Sequence, residues 1–238
     1  MNRIRQEETI YGTVSHSFLH NTLKLWAKCG SVHTKRVSTI TMQFIPDSTT
    51  VTLADGKKIR LKEVTPEDRD RAIEAFDQLS INSVYYRFWN DLIELDESTL
   101  SRLTNTDRIN HIAWCAINPD KPDHPGLGAA SLWRSPEDPS IAEVSFTVLD
   151  AHQGRGLGTI LLAVLWVIAE NIGIDIFHAN VLANNSRAIH WLVDLGGRIV
   201  REKGVCEIDL LLDLDENVGR ERRNDLKHWI LFFRKEFS

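Results

Sequence analysis

Residues 57–64 alternate between polar and apolar, with Ile59 and Leu61 on one side, and this period of two predicts a strand with one buried face. The Asp55-Gly56 turn signal precedes it. Thr65-Pro66-Glu67-Asp68 then supplies an N-cap, a proline in the first helical turn and early acids, which predicts a helix running to about Leu79. A linking segment carrying Tyr85, Tyr86, Phe88 and Trp89 leads to a second helix over residues 97–103, capped by Asp96. Strands are predicted over residues 111–117, 128–134, 141–148 and 176–182. Between the last two, residues 158–171 are apolar on every side, so they predict a helix of roughly 20 Å that other elements must cover. A helix over residues 186–195 stops at Gly196-Gly197, and two strands, 198–205 and 207–212, close the body.

The two ends of the chain pattern differently. Residues 18–29 predict a short amphipathic helix with Leu19, Leu23 and Trp26 on one side, and residues 38–45 alternate like a strand before Pro46. Residues 216–238 predict a basic amphipathic helix that turns Leu226, Trp229 and Phe233 towards the body. The element order predicts an α+β domain with a mixed sheet, in place of a strictly alternating barrel. Residues 1–50 read as an N-terminal extension, 51–213 as the domain and 214–238 as a C-terminal helical tail.

Composition narrows the function classes. The chain of 238 residues is 42% hydrophobic and 26% charged, an ordinary globular profile. A formal charge of −5 provides no overall field for gathering nucleic acid, so no such partner is expected. Cys29, Cys115 and Cys206 are odd in number and far apart, which fits neither a disulfide framework nor a zinc site. A cytoplasmic setting and no metal are the expectations. The longest apolar run, residues 160–169, is half of the ~20 residues needed to cross a bilayer, and residues 1–10 lack the pattern of a secretory signal.

The chemistry concentrates in Asp150-Ala151-His152-Gln153-Gly154-Arg155-Gly156-Leu157-Gly158, between a predicted strand and the apolar helix. Glycines at alternate positions let backbone approach an anion closely, and the helix start adds free N–H groups and a favourable dipole. Such a loop binds phosphate; the alternative is a turn with purely structural work. It is not a dinucleotide fingerprint, because Thr159 stands where G-x-G-x-x-G needs its third glycine.

Gln153-Gly154-Arg155-Gly156-Leu157-Gly158 resembles the Q/R-x-x-G-x-G/A signature of the GNAT acetyltransferase superfamily. Leu182-Ala183-Asn184-Asn185-Ser186-Arg187-Ala188-Ile189, ending at Leu195-Gly196-Gly197, looks like that superfamily's second motif, and the resemblance spans about residues 51–213. Ile59-Arg60-Leu61 with Thr65-Pro66-Glu67-Asp68, and Ser83-Val84-Tyr85-Tyr86-Arg87-Phe88-Trp89, are similar to Pat-type protein lysine acetyltransferases.

The resemblance implies a GNAT-like mixed, largely antiparallel sheet flanked by helices, with acetyl-CoA as cosubstrate. The pantetheine would lie between the strands ending near Val148 and Leu182, pairing with the backbone of Phe146 to Val148 like an added strand. Gln153, Gly154, Arg155, Gly156, Gly158 and Thr159 would hold the pyrophosphate. Asn185 would touch the cofactor, although its side chain serves equally well as the cap of its helix.

Acyl transfer needs a base, because an amine near neutral pH is mostly ammonium. Glu143, in the motif strand, is the candidate; the alternative is a solvated glutamate on an outer face. Many GNAT enzymes carry a tyrosine acid where this chain has Leu192. The acid is therefore open. His152 and His178 are the remaining polar candidates, each read first as a structural or supporting histidine, and His190 is expected to point away. Tyr85, Tyr86, Phe88 and Trp89 line either the acceptor side or the core. Three functions stand: N-acetylation of an amine, a protein lysine among the acceptors; a small-amine or antibiotic-type acetyltransferase; and a non-catalytic acyl-CoA sensor. The oligomeric state is open.

Overall fold

The structure is a computed structural model and describes residues 45–89, 94–214 and 221–238. The helix expected over residues 18–29, and all but the last residue of the strand expected over 38–45, lie outside them.

One sheet of eight strands organises the described chain, in the order β1-β2-β3-β4-β5-β6-β8-β7. β1 (Ser48–Thr52) and β2 (Lys58–Glu63) form a hairpin about the expected Asp55-Gly56 turn. β3 (His111–Ile117), β4 (Gly128–Arg134) and β5 (Ile141–Val148) continue it antiparallel, on the residues expected for them. β6 (Ile176–Leu182) joins β5 in parallel, and β7 (Arg198–Lys203) with β8 (Val205–Leu211) returns the edge to antiparallel pairing. The sheet is thus mixed and mostly antiparallel. β1 was not expected, although Ser-Thr-Thr-Val-Thr is rich in β-branched residues that suit a strand.

Among the described residues there are six α-helices: α1 (Arg69–Asp77), α2 (Ile81–Phe88), α3 (Glu97–Thr104), α4 (Leu157–Asn171), α5 (Ser186–Asp194) and α6 (Glu221–Glu236). α1 follows a short 3-10 turn at Pro66–Asp68, where the Asp68 carboxylate accepts from the Thr65 N–H at 3.0 Å. Asp96 caps α3 as expected, accepting from the Thr99 N–H at 2.7 Å.

α2 corrects the reading of Tyr85 to Trp89 as a linking segment. Its N-terminus is held from outside the local sequence. Ser80 Oγ accepts from the Ser83 N–H at 3.2 Å, while Asp150 accepts from the Ser80 N–H at 3.1 Å and from both serine hydroxyls at 3.0 Å. A short helix gains little from propensity alone, so these bonds and its packing decide it.

α4 lies on one face of the sheet, with residues 160–169 buried on every side as their apolar pattern required. β5 turns Ala142 and Val144 to it, and β6 turns Phe177 and Ala179. Leu226, Ile230, Phe233 and Phe237 of the C-terminal segment join the same core. Arg223 of α6 donates to the Leu195 carbonyl just past α5 and lies over the Trp166 ring at 5.8 Å. Gly196 has φ +102, a left-handed value that favours glycine, and a Cβ there would also push on the Arg223 guanidinium, 2.5 Å away. The opposite face, floored by Ala113, Cys115 and Ala129, carries α1, α2 and α3.

Candidate functional site

The parallel pairing of β5 with β6 covers only Ile141↔Ile176, Ala142↔Phe177 and Glu143↔His178. Beyond Glu143 and His178 the strands part, while β5 stays paired to β4 as far as Val148. The gap is V-shaped. The Leu149 N–H bonds Leu127 on the β4 side, so by strand alternation the main-chain groups of Val144, Phe146 and Val148 point into the gap. The Val148 carbonyl does so, accepting from Gln153 Nε2 at 3.0 Å. The main-chain groups of Phe146 and Val148 therefore face the gap, that of Val148 already bonded to Gln153.

The glycine loop closes the wide end. Gly154 and Gly156 adopt φ +75 and +83, left-handed values that L-residues with side chains rarely take. Gly156 caps α4, and its carbonyl accepts the Ile160 N–H at 3.1 Å, so the N–H groups ahead of Ile160 face outward with the positive end of the helix dipole. A Cβ at Gly156 would meet nothing within 4 Å. Open space beside free donors fits a phosphate.

Side chains brace this loop across long sequence separations. Arg187 donates to Gln153 Oε1 at 2.6 Å, and Arg155 pairs with Asp55 beside the first hairpin. Trp191 of α5 approaches Gly158, donates weakly to Thr159 Oγ1 at 3.4 Å and meets Phe146 edge-to-face at 5.3 Å. Asn185 Oδ1 accepts the Ala188 N–H at 3.2 Å and so caps α5. Sequence reasoning placed Asp55, Asp150 and Arg187 in turns and motifs but missed these contacts, and it missed Trp191, because the partners lie far apart in sequence.

Glu143 is exposed on the face opposite α4, towards α2. Its charge is felt by Arg87 of α2, whose half-buried guanidinium is pushed down to about 10 by lost hydration and the nearby Arg102, against the pull of Glu143. Arg87 stays cationic at neutral pH. His178 shares the face of Glu143, since partners in a parallel register project to the same side. Its Nδ1 lies 2.7 Å from Asp209 Oδ1. Burial lowers the pKa of that ring, but Asp209, Glu143 and Glu207 outweigh burial and leave it above its ordinary value.

Within the aromatic segment, Phe88 packs inward and Tyr86 reaches across to another element. Phe88 packs edge-to-face on Phe76 at 5.8 Å and lines an apolar cavity of about 120 Å³ under α1, α2 and α3. The Tyr86 hydroxyl crosses to the Asn184 carbonyl at 3.4 Å, bridging α2 to the loop after β6. Cys115, at the floor of that cavity, has its thiol pushed up to about 12 by burial and is no nucleophile. Leu192 is buried, His190 is exposed and α5 holds no tyrosine. His152 sits beside Arg155, its Nδ1 3.3 Å from Nη1, and burial together with that cation lowers its pKa.

A mixed sheet opened into a V beside a glycine loop at a helix start leaves room for an extended ligand with an anionic end. A profile of the acetyltransferase (GNAT) domain matches residues 58–198, and the chain belongs to this family. It is 30% identical over 152 residues to the acetyltransferase Pat of Mycolicibacterium smegmatis, a match covering 64% of this chain and 45% of that protein. The chain thus spans less than half the length of this relative. The crystal structure of the GNAT domain of S. lividans PAT superposes with a TM-score of 0.64 at 29% identity, covering 71% of this chain and 99% of that one. The yncA structure from Salmonella typhimurium, solved with its cofactor acetyl-CoA, shares the fold with a TM-score of 0.51 at 23% identity, covering 65% of this chain and 94% of that one. Among the described residues no helix is long and apolar enough to cross a membrane.

Proposed function

We propose that this acetyltransferase moves an acetyl group from acetyl-CoA to an amine, that Glu143 is the base, and that a protein lysine is the acceptor. The observation that carries the reading is the parting of β5 and β6 directly after Glu143, which sets that carboxylate at the vertex of the gap whose wide end holds the glycine loop. The pantetheine lies along Phe146 to Val148. Gln153, Gly154, Arg155, Gly156, Gly158 and Thr159 form the pyrophosphate cradle, with Asn185 at its far side. A thioester held this way presents its carbonyl near the vertex, where Glu143 takes a proton from the incoming ammonium directly or through water. The amine then attacks the carbonyl, and the C–S bond breaks.

Support for a lysine acceptor comes from the acidic groups on this face, Glu143, Glu207 and Asp209, which favour a cation, and from the likeness to Pat. Release of CoA from acetyl-CoA, measured against lysine-bearing proteins and against polyamines, tests the acceptor. Glu143→Gln keeps the shape of the side chain but cannot take the proton. Turnover should fall by about 10²–10⁴-fold at neutral pH with acetyl-CoA affinity nearly constant, and raising the pH should recover part of the loss. A Gln variant with near wild-type turnover would remove Glu143 from the role.

A further inference from the structure

We propose that His178 is the acid of this site, giving its Nε2 proton to the CoA thiolate as the acyl group leaves. The proposal rests on the acyl-transfer reading above. His178 is the last β6 residue paired to β5, in register with Glu143, so both side chains project from the vertex on the face that α2 covers. A thioester that brings its carbonyl to Glu143 brings its sulfur to the same vertex.

The ring is oriented for that work. A carboxylate only accepts, so the 2.7 Å contact assigns the Nδ1 proton to the bond with Asp209 and turns Nε2 away from β8. The charged groups around the ring are Asp209 and Glu207 from β8 and Glu143 from β5, with Arg87 of α2 and Arg102 of α3 acting on the Glu143 side. Glu207 is itself paired with Arg201 at 3.2 Å. Three carboxylates outweigh burial and favour the imidazolium. α5 holds no tyrosine, and where the resemblance looks for one it has the buried, apolar Leu192.

The step balances. The amine nitrogen bonds to the carbonyl carbon, the C–S bond breaks with its electron pair on sulfur, and the Nε2 proton completes the CoA thiol. Nitrogen gives up two protons between ammonium and amide: one, passed on through Glu143, restores the imidazolium, and the other leaves to solvent. An imidazolium beside a thiol also favours the thiolate, which gives a readout independent of any acceptor.

The test titrates the thiol of CoA bound to the whole chain, followed by the ultraviolet absorbance of the thiolate, with the desulfo-CoA complex subtracted to remove the protein's own cysteines. In the wild type the bound thiol should ionise about one pH unit below free CoA, roughly tenfold more thiolate at a given pH, whereas His178→Gln should return it to the free value. Asp209→Asn, which weakens the hold on the imidazolium, should give an intermediate shift and serves also if His178→Gln does not fold. Calorimetry on the same samples reports CoA affinity. CoA bound with the same thiol ionisation in wild type and variants would overturn the proposal and leave the acyl-transfer reading standing; no CoA binding by the wild type would overturn both.

Discussion

Gly156 shows how one backbone angle couples fold and ligand. At φ +83 a branched residue is strained, yet a Cβ there meets no neighbour within 4 Å, so the fold has room for what the conformation disfavours. Gly156→Val should cost about 1–3 kcal/mol of stability through strain, measured by chemical denaturation. Its side chain would enter the space assigned to the pyrophosphate. Calorimetry should show acetyl-CoA affinity reduced by at least about tenfold, equivalent to ~1.4 kcal/mol, and wild-type affinity in the folded variant would take the loop out of the site. At this scale the glycines were legible from their spacing and Glu143 from its place in a predicted strand, but not the face it takes. Asp209, the partner of His178, was not, since its contact depends on the β6–β8 register.

Turns and caps decide the elements. The Asp107 carboxylate accepts the N–H groups of Asn110, His111 and Ile109 at 2.7, 2.8 and 2.9 Å, fixing the turn into β3. Partial burial works upward on its pKa, but these three donors and the Asn110 side chain prevail and hold it at about 2. A depressed carboxylate contributes stability that is fully present above its unfolded value of about 3.9 and is lost as the pH falls through the folded value. Asp107→Ala should therefore lower the denaturation midpoint at pH near 7, with the gap to wild type narrowing below about pH 4. That gap should close near pH 2, and a gap that does not change with pH would show that the bonds act without the charge. α3 was legible because its cap, Asp96, is next to it; α2 was not, because part of its N-terminal support comes from Asp150, 70 residues beyond Ser80.

For the whole molecule, the sheet is the scaffold and the V-shaped gap its consequence. The core helix α4 rests on β3, β4 and β5 and is covered by α6, so the loop at its start is fixed by the best-packed part of the chain. A ligand that engages only this folded arrangement must stabilise it. At a hundredfold excess over its dissociation constant, acetyl-CoA should add about 2.7 kcal/mol, read as a rise in melting temperature. An unchanged melting temperature, with no heat of binding in calorimetry, would sink the cofactor reading.

The sequence by itself determined strands β2 to β6, the buried helix, the glycine loop between β5 and α4 and the place of Glu143 in a strand, because period, turn chemistry and glycine spacing are local properties of the chain. Only the tertiary structure decided where β5 leaves β6, how Asp150 and Arg187 fasten the loop, and that His178 stands beside Glu143 with Asp209 behind it. Those facts follow from strand order and register, which bring together residues 31 to 70 positions apart and leave no trace in the periodicity of either strand.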